Sequence, residues 1–179
     1  TLSLIFYGDL DITTITDKPK ARQEVATSII SEGRYDDMLD YIGREVRAGK
    51  QAYFVCSKID EDDEEGTLIS VKELYEELKD REKAEIMRAF KEKQYDCLVS
   101  TTVIEVGVDV PNATIMVIYN AERFGLSQLH QLRGRVGRGR EKSYCFLLMG
   151  AESETAKERL LTLKNNTDGF KIAEKDLEM

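Results

Sequence analysis

The chain has 179 residues, 41% of them hydrophobic, with only two prolines and a formal net charge of −8. This is the composition of one ordinary globular domain with its own core. No apolar run approaches the roughly 20 residues that span a bilayer, and no charged and then apolar leader opens the chain, so we expect no membrane association. Because the chain begins with Thr1 and stops at Met179 within a predicted helix, we expect it to be a piece of a longer protein.

The charge is unevenly distributed along the chain. A negative net charge argues at first sight against nucleic acid as a partner, because proteins that bind it are usually basic. Six acids, however, form the single run DEDDEE at 60–65, which is typical of a solvated loop. Five cations crowd into ten residues, namely Arg133, Arg135, Arg138, Arg140 and Lys142. This basic cluster is a candidate site for an anionic partner.

The three cysteines, Cys56, Cys97 and Cys145, lie far apart in the sequence and have apolar neighbours. This pattern fits reduced, buried thiols better than a disulfide pair or metal ligands. We therefore predict no metal site on these residues and a cytoplasmic location.

The hydrophobic pattern predicts strands alternating with helices. The predicted strands are 24–30, 51–57, 95–101, 113–120 and 143–149. The predicted helices are 35–50 (closed by Gly49), 70–79, 81–93, a helix from about 126 through 138, and two amphipathic helices after 150. Apolar runs without alternation, separated by helices, indicate a parallel sheet that is covered on both faces.

Polar residues follow three of the predicted strands. Ser57 and Lys58 end one strand, 100–102 (Ser100, Thr101 and Thr102) end a second, and 120–123 end a third. In parallel sheets, ligands gather at the carboxyl ends of the strands. We therefore expect a functional site at this edge of the sheet.

The stretch STTVIEVGVDVPNAT (100–114) contains a candidate anion site. Thr102 precedes Glu105 by three residues, which is the spacing of a capping box, and Gly107 is placed to stop the helix after about one turn. The free amides of such a helix start can bind phosphate. A plain helix cap explains the same spacing without a ligand. Asp109, between two valines, needs a partner, and a sugar hydroxyl could serve.

The stretch QLRGRVGRGR (131–140) is predicted to continue a helix. Gln131, Arg135 and Arg138 then lie on one exposed face, and we expect that face to point across a cleft at the working edge. Gly134 and Gly137 weaken such a helix, which suggests that something approaches the backbone closely. Arginines are well suited to bind phosphate and to stabilise charge during phosphoryl transfer. A solvated basic face and a flexible RNA-binding segment are the alternatives.

No phosphate-binding loop of the form G-x-x-x-x-G-K-[ST] occurs in the sequence, and no acidic pair follows a strand to hold magnesium. The chain thus has candidate arginine fingers without the nucleotide pocket that they would serve. We expect that pocket to belong to another domain.

These stretches resemble the second RecA-like lobe of superfamily 2 helicases, and in particular the bacterial branch-migration helicases. GKQAYFVCSKI resembles motif IV, VSTTVIEVGVDVPNAT resembles motif V, and QLHQLRGRVGRG resembles motif VI. YGDLD near the start and DGFKIAEKDLE near the end narrow the resemblance to the branch-migration helicases. The transcription-repair coupling helicases share motifs V and VI and are the nearest alternative.

The resemblance implies an α/β fold, a RecA-like three-layer sandwich with a mainly parallel central sheet and a C-terminal helical extension. It divides the chain into a segment that links from a first helicase lobe (1–23), the second lobe (24–150) and the start of a helical hairpin (151–179). It further implies a motor lobe of an ATP-dependent DNA helicase that remodels branched DNA in repair and recombination. Its partners would be DNA and the first lobe, and the isolated piece would lack ATPase activity.

The resemblance also assigns roles to residues. Arg135 and Arg138 would reach the γ-phosphate of ATP, which with Mg²⁺ is bound mainly by the first lobe, and Gln131 would help to sense the nucleotide. Gly107 and Asp109 would contribute to the same site, with Asp109 on the ribose. The residues expected to contact DNA are Ser57, Lys58, Ser100, Thr101 and Thr102. A non-catalytic nucleic-acid-binding module is the alternative from a different functional class.

Overall fold

The computed structural model describes residues 24–57, 80–100, 110–150 and 153–178. Within these ranges the strands are β1 (Val25–Ile30), β2 (Gln51–Val55), β3 (Cys97–Ser100), β4 (Ala113–Ile118) and β5 (Ser143–Leu148). The helices are α1 (Tyr35–Arg47), α2 (Asp80–Lys91), α3 (Leu126–Arg133), α4 (Glu154–Asn165) and α5 (Gly169–Glu178). The predicted N-terminal segment and the predicted helix at 70–79 lie outside the described residues.

The five strands form one sheet in the order β1-β5-β4-β2-β3, and every neighbouring pair is parallel. The register between β2 and β4 shifts between Gln51 and Ala52, because Gln51 pairs with Ala113 and Ala52 with Ile115. Thr114 is therefore an extra residue at the start of β4, as in a β-bulge. The predicted parallel sheet is confirmed.

Helices cover both faces of this sheet. Met38 and Ile42 of α1 pack with Ile115, Val117 and Phe146 on one face. On the other face, residues from the remaining four helices join the strands in one buried cluster, and these helix residues include Phe90, Leu129, Leu132, Leu160, Leu163 and Ile172. The three-layer arrangement is confirmed. The C-terminal helices α4 and α5 contribute to the same core as the sheet.

Helix α1 ends as its sequence predicts. Gly49 has a φ of 87°, a conformation that glycine adopts without strain. Its amide donates to the carbonyl of Val46, and the amide of Lys50 donates to that of Glu45, which is the pattern of a Schellman motif. Leu39, which follows the buried Met38 in this helix, is exposed.

Two of the three thiols are buried, as expected. Burial raises the pKa of Cys56, and it raises the pKa of Cys145 to about 12, so both thiols stay protonated and unreactive near neutral pH. The prediction is wrong for Cys97, which is exposed on β3. This strand lies at the edge of the sheet, where fewer neighbours cover a side chain.

Helix α3 is shorter than the sequence predicts. It ends at Arg133, and Gly134 is its C-cap residue. The amide of Arg135 donates to the carbonyl of Leu132, which tightens the last turn, and Gly137 follows with a φ of 76°. A residue with this φ cannot continue a right-handed helix. Gly137 therefore prevents a helix from continuing through it, and the prediction of a helix through 138 is wrong.

Candidate functional site

The carboxyl ends of β3, β2 and β4 bring together polar residues that are distant in sequence. The amide of Cys56 donates to the carbonyl of Ser100 (2.9 Å), and the amide of Tyr119 donates to that of Val55 (2.8 Å). Ser57, Ser100 and Asn120 therefore lie at the ends of three adjacent strands. This part of the predicted edge is confirmed as a structural arrangement. Lys58, Thr101, Thr102, Gly107 and Asp109 lie outside the described residues.

The hydroxyl of Ser57 has no hydrogen-bond partner within the described part of the protein, although its side chain is only 8% exposed. A buried hydroxyl without a partner is unfavourable by about 1–3 kcal/mol. A ligand oxygen at this edge would satisfy it. Thr114, at the opposite end of the sheet, is the second such hydroxyl among the described residues.

A turn after β4 shapes the neighbouring part of the carboxyl edge. Asn120 adopts a left-handed conformation with a φ of 49°. Both carboxylate oxygens of Glu122 accept from the amide of Gly150, each at 3.2 Å. The Glu122 carboxylate is thus occupied by the backbone, whereas Arg123 beside it is exposed. Gly150 also lies against the side chain of Asn120.

Two tyrosines connect the start of α1 with the residue that follows β4. The hydroxyls of Tyr35 and Tyr119 are 2.9 Å apart, and their rings meet edge to face. Burial and this hydrogen bond raise the pKa of Tyr119 far above its ordinary value. This hydrogen bond and the ring contact link the two residues at this edge.

The arginines of the predicted motif VI lie at the other edge of the sheet. The segment 134–142 leads into the start of β5, and Lys50, which precedes β2, makes an ion pair with Glu141 (2.6 Å). Gly139 of the same segment lies against Pro111, which precedes β4. Because all strands are parallel, these contacts place the segment at the amino ends of the strands. The expectation that these arginines gather at the carboxyl edge is wrong.

The expected stripe of Gln131, Arg135 and Arg138 on one helix face is also absent, because α3 ends before Arg135. Gln131 is exposed on the last turn of α3, Arg135 is half-buried and Arg138 is exposed. The Nε of Arg138 donates to the carbonyl of Gly134 at 3.3 Å. The two arginines therefore project from a loop outside the packed interior, where a phosphate can reach them.

A buried hydrogen-bond network holds the amino edge together. The Nε2 of Gln51 donates to the carbonyls of Phe90 (2.6 Å) and Tyr95 (2.7 Å). The Nδ2 of Asn112 donates to the carbonyl of Gly49 (2.8 Å) and to Oε1 of Gln51 (3.3 Å). The loops before β2, β3 and β4 are thus linked to one another. The sequence does not predict this network, because a single glutamine or asparagine beside an apolar run forms no recognisable motif.

Arg133, a member of the basic cluster, is a packing residue. It is only 5% exposed, and it donates to the carbonyls of Leu163 (2.6 Å) and Asn166 (2.8 Å) at the end of α4. Its Nη2 also lies 3.0 Å from Nδ1 of His130, which must accept because arginine has no acceptor. Burial lowers the pKa of this guanidinium. Arg133 joins α3 to the C-terminal helices and is not available to a phosphate.

His130 is packed rather than exposed. It is half-buried, and a side chain at Gly169 would approach its Nε2 to 2.9 Å. The one histidine of the sequence is therefore a packed helix residue.

Neither a metal cluster nor a transmembrane helix occurs in the described ranges. No group of three or more histidine, cysteine or acidic side chains there is arranged to hold a metal ion. No helix of these ranges has the length and apolarity that a bilayer crossing requires.

Residues 33–140 match the family described as helicase conserved C-terminal domain. The match extends over more than half of the 179 residues. The chain belongs to the helicase C-terminal domain family. In this helicase domain the matched region includes the end of β2 at the carboxyl edge of the sheet. It also includes the start of β4 and residues 134–140 with their arginines at the amino edge, so both edges fall within it.

Curated relatives extend the similarity of this helicase domain over the whole chain. It is 47% identical to the ATP-dependent DNA helicase RecG of Thermotoga maritima, over 99% of the chain and 25% of that protein. It is 42% identical to the ATP-dependent DNA helicase RecG of Bacillus subtilis, over 100% of the chain and 29% of that protein. The chain therefore spans only about a quarter of the length of these relatives.

Solved structures agree with the fold. A structure of RecG bound to a three-way DNA junction superposes with a TM-score of 0.80 at 45% identity, over 99% of this chain and 25% of that one. Dbp5 of S. cerevisiae, bound to RNA and ADP BeF3, gives a TM-score of 0.52 at 16% identity, over 94% and 48% of the two chains, and shows likeness of fold alone. The RecA-like fold class and the resemblance to branch-migration helicases are confirmed.

The contacts of Arg133 predict a selective loss of stability. We expect Arg133→Gln to lower the free energy of unfolding by about 2–4 kcal/mol, because two buried carbonyls lose a charged donor. Urea unfolding measures the change. Arg88→Gln, on the exposed surface of α2, is the matched control and should change stability by less than about 0.5 kcal/mol. Equal, small effects of the two substitutions would show that Arg133 does not support the fold.

Proposed function

We propose that this chain is the second motor lobe of an ATP-dependent DNA helicase that remodels branched DNA, such as replication forks and recombination junctions, in repair and recombination. The observation that carries this proposal is the pair Arg135 and Arg138, held outside the core at the amino ends of the strands. Identity of 47% to a RecG helicase over 99% of the chain supports the substrate class. Binding of a three-way DNA junction by the RecG of similar structure supports it further.

In this proposal Arg135 and Arg138 act on ATP bound mainly by a first lobe of the same protein. ATP supplies a terminal phosphoryl group for transfer to water, and Mg²⁺ neutralises part of its charge. Two guanidiniums that enter such a site stabilise the charge that develops on the transferred group. The exposed position of Arg138 and the half-buried position of Arg135 fit this role. Gln131, exposed one turn earlier, is proposed to sense the nucleotide.

The structure offers no basis for placing Mg²⁺ on the described residues of this chain, because they contain no suitable cluster of ligands. In this proposal Mg²⁺ is bound together with ATP, mainly by the first lobe. The roles proposed from sequence for Gly107 and Asp109 at the nucleotide remain predictions.

We further propose that DNA binds at the carboxyl edge, across the ends of β2 and β3. Ser57 and Ser100 lie there side by side, and the unpartnered hydroxyl of Ser57 can donate to a phosphate oxygen. Lys58, Thr101 and Thr102 follow these strands directly in the sequence and are proposed to extend the contact. Contacts to phosphate fix position without reading sequence, which suits a motor that moves along any duplex.

The proposal gives the parts of the chain separate tasks. Residues 1–23 link from the first lobe, 24–150 form the second lobe, and 151–179 begin a helical hairpin. The partners are branched DNA and the first lobe, and the protein acts in the bacterial cytoplasm. This chain alone is expected to show no ATPase activity.

Loss of one arginine tests the nucleotide role. In the complete protein we expect Arg138→Ala to reduce DNA-stimulated ATP hydrolysis by roughly 10³-fold, because an arginine that stabilises the transition state is removed. Steady-state phosphate release measures the rate. Arg88→Ala, an exposed arginine on α2, should retain wild-type turnover. Near wild-type turnover in Arg138→Ala would reject the role, and a lack of ATPase activity in the complete wild-type protein would favour a non-catalytic module.

Loss of one hydroxyl tests the DNA role. We expect Ser57→Ala to weaken DNA binding by about 10-fold, the effect of one hydrogen bond to a charged group, with little loss of stability because the hydroxyl has no described partner. Thr114→Val removes the other hydroxyl that is buried without a partner in the described ranges, at the amino end of the sheet, and should leave DNA affinity unchanged. Fluorescence anisotropy with a labelled fork at fixed salt measures both affinities. A similar effect of the two substitutions would contradict a DNA contact at Ser57.

A further inference from the structure

We propose that Gly139, the last residue of the stretch that resembles motif VI, is a positioning residue that sets the place of Arg138 by its contact with the turn before β4. The inference rests on the proposed function, because it assigns a task to the segment that carries the arginines. Gly139 follows Arg138 directly, so any displacement of its Cα is passed to the arginine backbone.

The contact leaves no room for a side chain. A Cβ built on Gly139 would lie 2.7 Å from the carbonyl oxygen of Pro111 and 3.6 Å from the carbonyl carbon. Both atoms are backbone, so they cannot move away as the end of a flexible side chain can. Gly137 has a φ of 76° and is required for its backbone conformation, whereas no such φ is found at Gly139. The need for glycine at 139 is therefore one of space.

The turn that Gly139 touches is held in place on both sides. Val110 is buried, and its carbonyl accepts from the amide of Ala113 at 3.0 Å. Asn112 is bound through its side chain to the carbonyl of Gly49. Since Pro111 lies between these anchored residues, a clash at Gly139 is relieved more easily by movement of the arginine segment than by movement of the turn.

The segment 134–142, which carries the arginines, is also held on either side of Arg138. Val136 is fully buried on one side of Arg138, and the ion pair of Glu141 with Lys50 lies on the other. The acidic partner of this pair is 65% exposed, and such exposed pairs contribute about 0–1 kcal/mol. The contact of Gly139 with Pro111 lies directly next to Arg138 and involves backbone atoms on the Pro111 side, so it acts on the position from which the arginine side chain begins.

The experiment compares Gly139→Ala with Gly33→Ala in the complete protein. Gly33 lies in an exposed turn, where a methyl group added at its Cα would meet no atom within 4 Å, so it reports any general effect of replacing glycine. A displacement near 1 Å of a catalytic group can cost about 100-fold in rate. We therefore expect Gly139→Ala to lower kcat of DNA-stimulated ATP hydrolysis by about 10-fold to 100-fold, with a smaller change in KM for ATP. We propose that DNA binds at the opposite edge of the sheet, so DNA affinity should remain within about twofold of wild type.

Glu141→Gln is a second, milder substitution that loosens the segment 134–142. It should lower kcat by a few fold without a change in DNA affinity, because only the weak ion pair is lost. A wild-type kcat in Gly139→Ala, together with a strongly reduced kcat in Arg138→Ala, would overturn the inference and leave the proposed function intact. A second outcome would also overturn the inference: Gly139→Ala loses DNA affinity and activity together, while Glu141→Gln keeps wild-type kcat. Gly139 would then have a folding role. If Arg138→Ala itself retains near wild-type turnover, the proposed function is rejected instead.

Discussion

The parallel direction of all five strands is the constraint on which the arrangement of this domain depends. In such a sheet every strand starts at one edge and ends at the other, so the loops divide into two groups on opposite sides. Hydrogen bonds between neighbouring chain ends fix each group in place: Tyr119 with Val55 at the carboxyl edge, and Asn112 with Gly49 at the amino edge. Ser57 belongs to the first group, and Arg138 belongs to the second. The sheet thus lies between the residues proposed for DNA and those proposed for ATP.

This separation suits a motor lobe. With the proposed DNA contact at one edge of the sheet and the proposed nucleotide contact at the other, movement at one edge would be transmitted to the other through the packed core. The C-terminal helices also belong to this rigid unit, because Leu160, Leu163 and Ile172 pack in the same cluster as the strands. Arg133 strengthens the connection by donating to two carbonyls at the end of α4. Arg135, two residues later, is only half-buried, so one short stretch supplies both a packing arginine and a candidate ligand for phosphate.

Much of the fold follows from the sequence, because apolar runs and glycines act locally. The strands and helices within the described residues occur where the pattern predicts them, and Gly49 ends α1 as expected. The end of α3 was missed because Gly134 and Gly137 fit two explanations, close packing or termination, and only the φ of Gly137 distinguishes them. Arg135 and Arg138 were predicted at the wrong edge. The rule that ligands gather at the carboxyl ends of parallel strands was applied to a loop that leads into the start of a strand. The environment of Arg133 could not be predicted, because its partners lie about 30 residues later in the chain.

The separation of the two sites can be measured directly by hydrogen exchange on the complete protein. A non-hydrolysable ATP analogue should slow exchange of amides in 131–142 and leave those at 55–57 and 119–123 unchanged, whereas forked DNA alone should do the reverse. Protection of 131–142 by DNA alone, or of the carboxyl ends of the strands by nucleotide alone, would contradict the assignment of the two edges.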